Sequence, residues 1–327
     1  MSKLGAAPTS FVDDNGAPAF GAYAGPLPPV VFPELTFGKR LARRKKWFYV
    51  ACVANDVWIS VCVLRTGYAA TLFAFAYDLT THKMLVDETA IGPSIACRVS
   101  DDAHAQGELA AFRWGGAQAS MSRTGSNMRL ELTMKGLQVD VVIDESSGPP
   151  AIAAIGTLGE GSVDATEKRG PLGIRGSAKC VGRSVSLDGG VGGYDYTHGL
   201  MPRHTMWRWG FALGKAATGE RFALNVVQGF IGEKECAAFV DDRVIPIAEP
   251  RFTFDLARPA EPWRLEGEGI DLTFRPGAMH TQNTNLVVVR SRFVQPVGTF
   301  EGTLRIDGRD LVLRDVPGVV EDQDTYW

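Results

Sequence analysis

Residues 189–230 read GGVGGYDYTHGLMPRHTMWRWGFALGKAATGERFALNVVQGF. Within them the piece 204–211, HTMWRWGF, decides the kind of chain this is. At a period of two, His204, Met206, Arg208 and Gly210 share one face, while Thr205, Trp207, Trp209 and Phe211 share the other. Aromatic surface on one side, and a base beside a permanent cation on the other, is the pattern of a strand. The next piece, 221–228, alternates too: Phe222, Leu224, Val226 and Gln228 oppose Arg221, Ala223, Asn225 and Val227. Ahead of both lies a glycine-rich approach holding Tyr194, Asp195, Tyr196 and His198, which reads as a loop feeding a rigid strand.

The same rhythm extends outward in both directions. Residues 47–54, 57–65 and 68–79 are short runs rich in aromatic and β-branched residues, separated by Asn55-Asp56 and Thr66-Gly67. Further runs follow from 94 to 143. After residue 204 they resume, among them 270–275, 284–295, 299–306, 311–316 and 319–327, with Asp307-Gly308 as a strong hairpin signal. No window carries a sustained 3.6-residue period with a capped start and a glycine stop. The expectation is an all-β fold of two lipocalin-like antiparallel β-barrels packed together. Residues 1–34 would be a loose N-terminal arm, 35–188 the first barrel and 189–327 the second. Glycine and proline accumulate between 146 and 193, where an interdomain connection is expected, with a strand near 173–187 open to sharing by both halves.

Composition narrows the function classes. The 327 residues are 45% apolar and 22% charged, the profile of a globular protein. A formal net charge of -3 gives no electrostatic case for nucleic acid or an anionic membrane as partner. The basic cluster Lys39-Arg40 and Arg43 to Lys46 reads as a solvated lead-in to a strand. No apolar run is long enough for a transmembrane helix, and the N-terminal 29 residues lack the apolar core of a signal peptide. Cys52, Cys62, Cys97, Cys180 and Cys236 are odd in number and form no CxxC pair. Five free thiols and a cytoplasmic location follow from that as expectations.

Several chemistries lack their signatures: no GxGxxG opens a helix, and GxxxxGK[ST], GxSxG and HExxH do not occur. His198 and His204 are six apart, which supports no metal site, and no cofactor is expected. Three residues are candidate catalysts: Asp195, His198 and His204. A carboxylic acid kept neutral by an apolar pocket, or an Asp–His pair, can move protons to and from a substrate. Equally, an Asp in such a turn caps backbone N–H groups and a His fills a polar gap. Tyr194, Tyr196, Trp207, Arg208, Trp209, Asn225 and Gln228 are candidate substrate-binding residues. If Trp207 and Trp209 point inward they line an apolar cavity; if outward they pack one barrel on the other and leave His204 and Arg208 in the lumen. The last strand divides into Val319, Glu321, Gln323, Thr325, Trp327 and Val320, Asp322, Asp324, Tyr326. Its carboxylates either form an exposed acidic edge or bring one acid to the site, near Arg208. His82, His104 and His280 sit in polar stretches and are expected to face solvent.

Four places carry a resemblance: KKWFYV with VWISVCVLRTGYAATLFAFAYD, then YDYTHGLMPRHTMWRWGFALG, then RFALNVVQGF, and finally FVQPVGTFEGTL with GVVEDQDTYW. In these the chain resembles the bacterial domain of unknown function family 2804 along most of its length, the middle motif being the most specific. The architecture is similar to the tandem lipocalin-like barrels of carotenoid hydratases and certain cofactor-free cyclases. That resemblance implies a cofactor-independent enzyme, a lyase or isomerase. Its expected chemistry is hydration, dehydration, isomerisation or cyclisation of a hydrophobic, terpenoid- or lipid-like small molecule. A non-catalytic carrier of such a ligand is the alternative, and an interaction protein without a ligand is a third. Oligomeric state is not legible.

Overall fold

Local turn chemistry sets the hairpins. Asn55 and Asp56, at φ of 47° and 62°, join strands Arg44–Ala54 and Val57–Arg65. Asp307 and Gly308, at 51° and 77°, join Arg290–Ile306 and Arg309–Tyr326. Positive φ at both central residues matches the right-handed twist of the strands that such two-residue turns connect. The computed structural model describes residues 4–32, 35–159, 161–285 and 289–327. Part of the expected strand 284–295 (residues 286–288) and parts of the N-terminal arm (1–3 and 33–34) lie outside the described residues.

Two curled antiparallel sheets result, one a nearly closed barrel and the other a half-barrel. The first runs from Lys83–Pro93 through Ala69–Asp78, Val57–Arg65 and Arg44–Ala54 to Val191–Leu200, then through Val163–Cys180 and the meander of residues 97–144. The second runs from Arg243–Pro246 through Ala237–Val240, Arg221–Gly229 and His204–Lys215 to Arg309–Tyr326, and on to Arg251–Thr253. Strand Val191–Leu200 pairs with Arg44–Ala54 and Val163–Cys180, so the chain changes sheet between Leu200 and His204. The one α-helix among the described residues is short, Phe37–Arg43, capped by the Thr36 side chain.

Strand alternation separates two cores. Phe48, Val50, Tyr194 and Tyr196 face the lumen of the first barrel with Leu130, Val141 and Ile143. Tyr49, Ala51, Phe73 and Phe75 point the other way and pack with Phe211, Leu213 and Ala223 of the second sheet. Each fully buried side chain of this size contributes about 1.5–3 kcal/mol. One glycine marks the close approach. A Cβ on Gly193 would lie 2.6 Å from the Arg169 carbonyl oxygen and 2.9 Å from the Phe211 ring. A Cβ on Gly210, the residue before Phe211, would instead meet Val226 and Phe300 in the second sheet's own core.

Several expectations need correction. The Gly-rich approach at 191–200 is a strand, not a loop: Gly193 serves tight inter-sheet contact, and Gly192 a close approach to Ile174 within the first sheet, rather than a turn. The stretch 146–193, expected to be a connection, contributes the long strand Val163–Cys180 to the first sheet. The N-terminal arm is not loose, since Phe11, Leu27 and Val30 are buried against the first core. His280 is buried and His104 is bonded to the buried Glu167 at 2.8 Å, so neither is a solvated turn residue; His82 bonds the Tyr77 hydroxyl at 2.9 Å. The five cysteines are buried and unpaired, and burial pushes the Cys52 and Cys97 thiols up to about 12.

Candidate active site between the sheets

A cavity of about 120 Å³ lies where the outer face of the barrel meets the second sheet. The first sheet supplies Trp47, Tyr49, Phe73, Lys168 and Asp195; the second supplies Trp207, Trp209 and Glu321, and the segment after its strand Arg221–Gly229 adds Phe230 and Glu235. Trp47 and Trp207 stack across the boundary with centroids 5.9 Å apart and planes 13° from parallel, and Tyr49 meets Trp209 edge-on at 5.2 Å. The wall is therefore aromatic: Trp207 and Trp209 pack the halves against each other and line the space between the two sheets rather than a barrel lumen.

Buried ionisable groups are gathered on that apolar wall. Asp195 and Lys168 are direct cross-strand partners, and their Oδ2 and Nζ atoms are 2.5 Å apart. Glu235 lies 3.4 Å from the same ammonium. Burial pulls Lys168 down, but the Asp195 and Glu235 carboxylates more than offset it, so the ammonium is held above its ordinary value. Glu321 sits apart from this pair, accepting from Trp207 Nε1 at 2.8 Å and from Gln295 Nε2 at 2.7 Å. Burial raises it to about 8 against these two bonds, and Glu235 to about 7. Asp164, next in the cluster, is pushed well up by burial and by Glu235, and neither of its carboxyl oxygens has a partner among the described residues. At neutral pH the cavity thus meets the Lys168–Asp195 ion pair, the stored carboxylic acid of Glu321, and Glu235 near its titration midpoint, a separation of environments that divides acid from base roles.

The sequence-derived candidates fall in different places. Asp195, Trp207 and Trp209 line the cavity. Tyr194 and Tyr196 alternate with Asp195 and so face the barrel lumen, donating to Glu167 at 2.5 Å and to the Ser100 carbonyl at 2.9 Å. His198 lies on that face too, buried, accepting from Arg44 Nε at 2.9 Å; burial, Lys46 and Arg44 hold it well below its ordinary value. His204 lies on the opposite face of its strand, exposed, 2.8 Å from Asp324 and stacked on Tyr326. Arg208 shares that face, half-buried on the concave side of the second sheet, 3.2 Å from the buried Asp322 and 5.6 Å from the Phe254 ring, so the acid near Arg208 is not the acid of the cavity. Asn225 sits behind the wall, taking the Trp209 indole N–H at 2.8 Å and donating to the Glu235 carbonyl at 2.7 Å. Gln228 accepts from the Phe252 backbone N–H at 2.9 Å and does not line the cavity.

Glu321, Glu235 and Lys168 escaped the sequence reading. The alternation of the last strand already set Glu321 apart from Asp322, and its placement beside Gln323 and Trp327 was the available signal. Lys168 stood in the presumed connection and carried none. Among the described residues no group of three or more His, Cys, Asp or Glu is arranged to hold a metal, and no helix is long and apolar enough to cross a membrane.

No curated protein matches the chain. Solved structures do resemble it. Kievitone hydratase from Nectria haematococca is similar with a TM-score of 0.55 at 15% identity, covering 89% of this chain and 93% of that one. CghA with Sch210972 is similar with a TM-score of 0.52 at 11% identity, covering 98% and 97%. At such identities the likeness is one of fold. The model of the family described as Domain of unknown function (DUF2804) matches residues 4–327, and the chain belongs to that family.

Proposed function

We propose that the protein is an enzyme acting on a hydrophobic small molecule by acid–base chemistry at the inter-sheet cavity. The observation that carries this reading is Glu321: a buried carboxyl held near 8 on an aromatic wall that also presents the Lys168–Asp195 ion pair. An acid stored at neutral pH beside a separate carboxylate supplies both partners for proton transfer.

In the hydration direction, Glu321 gives its proton to an alkene carbon, and Asp195 takes one from the water that attacks the resulting cation. The net change is addition of water, and solvent returns the proton from Asp195 to Glu321. Dehydration is the reverse; isomerisation or cyclisation needs the same two groups without the water. The flat indole and phenyl walls suit a polyene, aryl or terpenoid-like substrate, since π faces favour cationic character. Both proton carriers are side chains of the chain itself, so the reading calls for no cofactor, and buried free thiols accord with a cytoplasmic setting. The similarity to a structure named as a hydratase makes hydration the first reaction to try.

The test is incubation with isoprenoid and aryl alkenes and alcohols in D2O, reading deuterium incorporation by mass spectrometry. Wild type should label its substrate, and Glu321→Gln should not. A compound that binds both proteins and is labelled by neither would make the protein a carrier.

A further inference from the structure

A second titratable pair lies behind the aromatic wall and bridges the two sheets. His280 stands on strand Ile270–Asn285 of the second sheet, and its Nδ1 is 2.6 Å from Oδ1 of Asp87, on strand Lys83–Pro93 of the first. The imidazole stacks on Phe73 at 4.7 Å and meets Phe293 edge-on at 5.5 Å, and both rings line the cavity. His280 is 1% exposed, so both of its nitrogens need partners. Nδ1 has one; Nε2 has none among the described residues.

The residue directly opposite His280 on the neighbouring strand is Gln295, also fully buried. Facing side chains on adjacent antiparallel strands start about 4.5–5.5 Å apart at Cβ. Gln295 spends its amide nitrogen on Glu321, and its Oε1 has no partner either. An unsatisfied imidazole nitrogen and an unsatisfied amide oxygen thus occupy one cross-strand pair, a single hydrogen bond away from Glu321. An amide can present either end. With its oxygen held toward His280 it offers N–H to Glu321 and stabilises the carboxylate; reversed, it offers an oxygen that only a protonated Glu321 can bond.

We infer that Asp87 and His280 are positioning residues for Glu321, acting through Gln295. His280, oriented by Asp87, engages Gln295 Oε1 through one water and fixes the amide with its nitrogen toward the acid. The inference rests on the reading of Glu321 as the acid of the cavity.

Infrared titration of the Glu321 carboxyl tests it without a substrate, the band being identified by its loss in Glu321→Gln. His280→Phe keeps a ring between Phe73 and Phe75 and should move the Glu321 midpoint upward by about one pH unit or more, the worth of a hydrogen bond to a charged group. Asp87→Asn, at a position one-third exposed, should move it the same way without threatening the fold. Gln295→Leu should move it as far, and adding His280→Phe to Gln295→Leu should move it no further. The inference is overturned if His280→Phe lowers the melting temperature but leaves the midpoint in place. It is overturned equally if the shift persists in the Gln295→Leu background. A wild-type midpoint in the ordinary carboxyl range would sink the stored-acid reading instead; differences among the variants would still decide the coupling.

Discussion

The indole N–H of Trp207 bonds the carboxyl of Glu321 at 2.8 Å, across a strand pair in which Trp207 faces Gln323 and Trp209 faces Glu321. The side chain that builds the aromatic wall is therefore also the donor that orients the acid. Apolar binding surface and proton chemistry are coupled at one residue, and each can be probed through the other.

Trp207→Phe keeps a ring against Trp47 but removes the donor. Ligand affinity should fall through lost contact area, and the Glu321 carboxyl should titrate higher, because the indole bond favours its ionised form. Quenching of the remaining tryptophans on ligand addition reads the first effect and infrared titration the second. An unchanged Glu321 midpoint would remove Trp207 from the proton chemistry.

Glu321→Gln should reduce turnover by about 10²–10⁴-fold while binding is kept, the usual worth of a general acid. Asp195→Asn should do the same, with a larger stability cost because it leaves Lys168 buried beside a neutral amide. Single-turnover kinetics and thermal melts separate the two variants. A loss below tenfold in either would reduce that residue to positioning.

Stability should decline as pH rises from about 5 to 8. Glu321 keeps its proton to about 8 and Glu235 to about 7 in the folded chain, whereas an unfolded Glu loses it near 4.5. Over that window the folded state binds more protons, so each group lowers stability by up to about 1.4 kcal/mol per pH unit. Denaturant midpoints at pH 5.5, 7 and 8 measure the slope, and Glu321→Gln should flatten it. Parallel slopes in the two proteins would mean that Glu321 titrates normally.

His204→Ala should change stability by no more than about 1 kcal/mol, since its pairing with Asp324 is solvent-exposed. Turnover should stay within a few-fold of wild type, as the imidazole is on the face away from the cavity. A hundredfold loss would place the chemistry on the opposite face of the strand.

Gly193→Ala should cost about 1–3 kcal/mol, because its Cβ would press on the Arg169 carbonyl at 2.6 Å and the Phe211 ring at 2.9 Å. Urea denaturation checks it. A neutral result would show that the sheets can separate locally without loss.

Much of the fold was legible because strand alternation and turn chemistry are local. Asn55-Asp56 and Asp307-Gly308 announced their hairpins, and the two faces of 204–211 and 319–327 were divided as the structure divides them. What stayed hidden depends on distant pairing. Whether Glu321 or Asp322 is the interior acid follows from the pairing of residues 204–212 with 318–326, and from which face then meets the barrel. Lys168 becomes Asp195's partner only through the register of residues 163–173 against 191–200. Composition misled where one residue type serves two purposes. Gly193 suggested a flexible turn, but it permits two sheets to touch. His280 suggested a polar surface, but it is seated between Phe73 and Phe75.

Because the cavity draws its walls from both sheets, a bound molecule acts as a rivet between them. Its full binding free energy then counts against separating the halves, stabilising the whole by RT ln(1 + [L]/Kd). An unbiased thermal-shift screen of hydrophobic metabolites can therefore register occupancy before any reaction is known. Hits whose shift disappears when Trp47 and Trp207 are both truncated would be those seated at the seam.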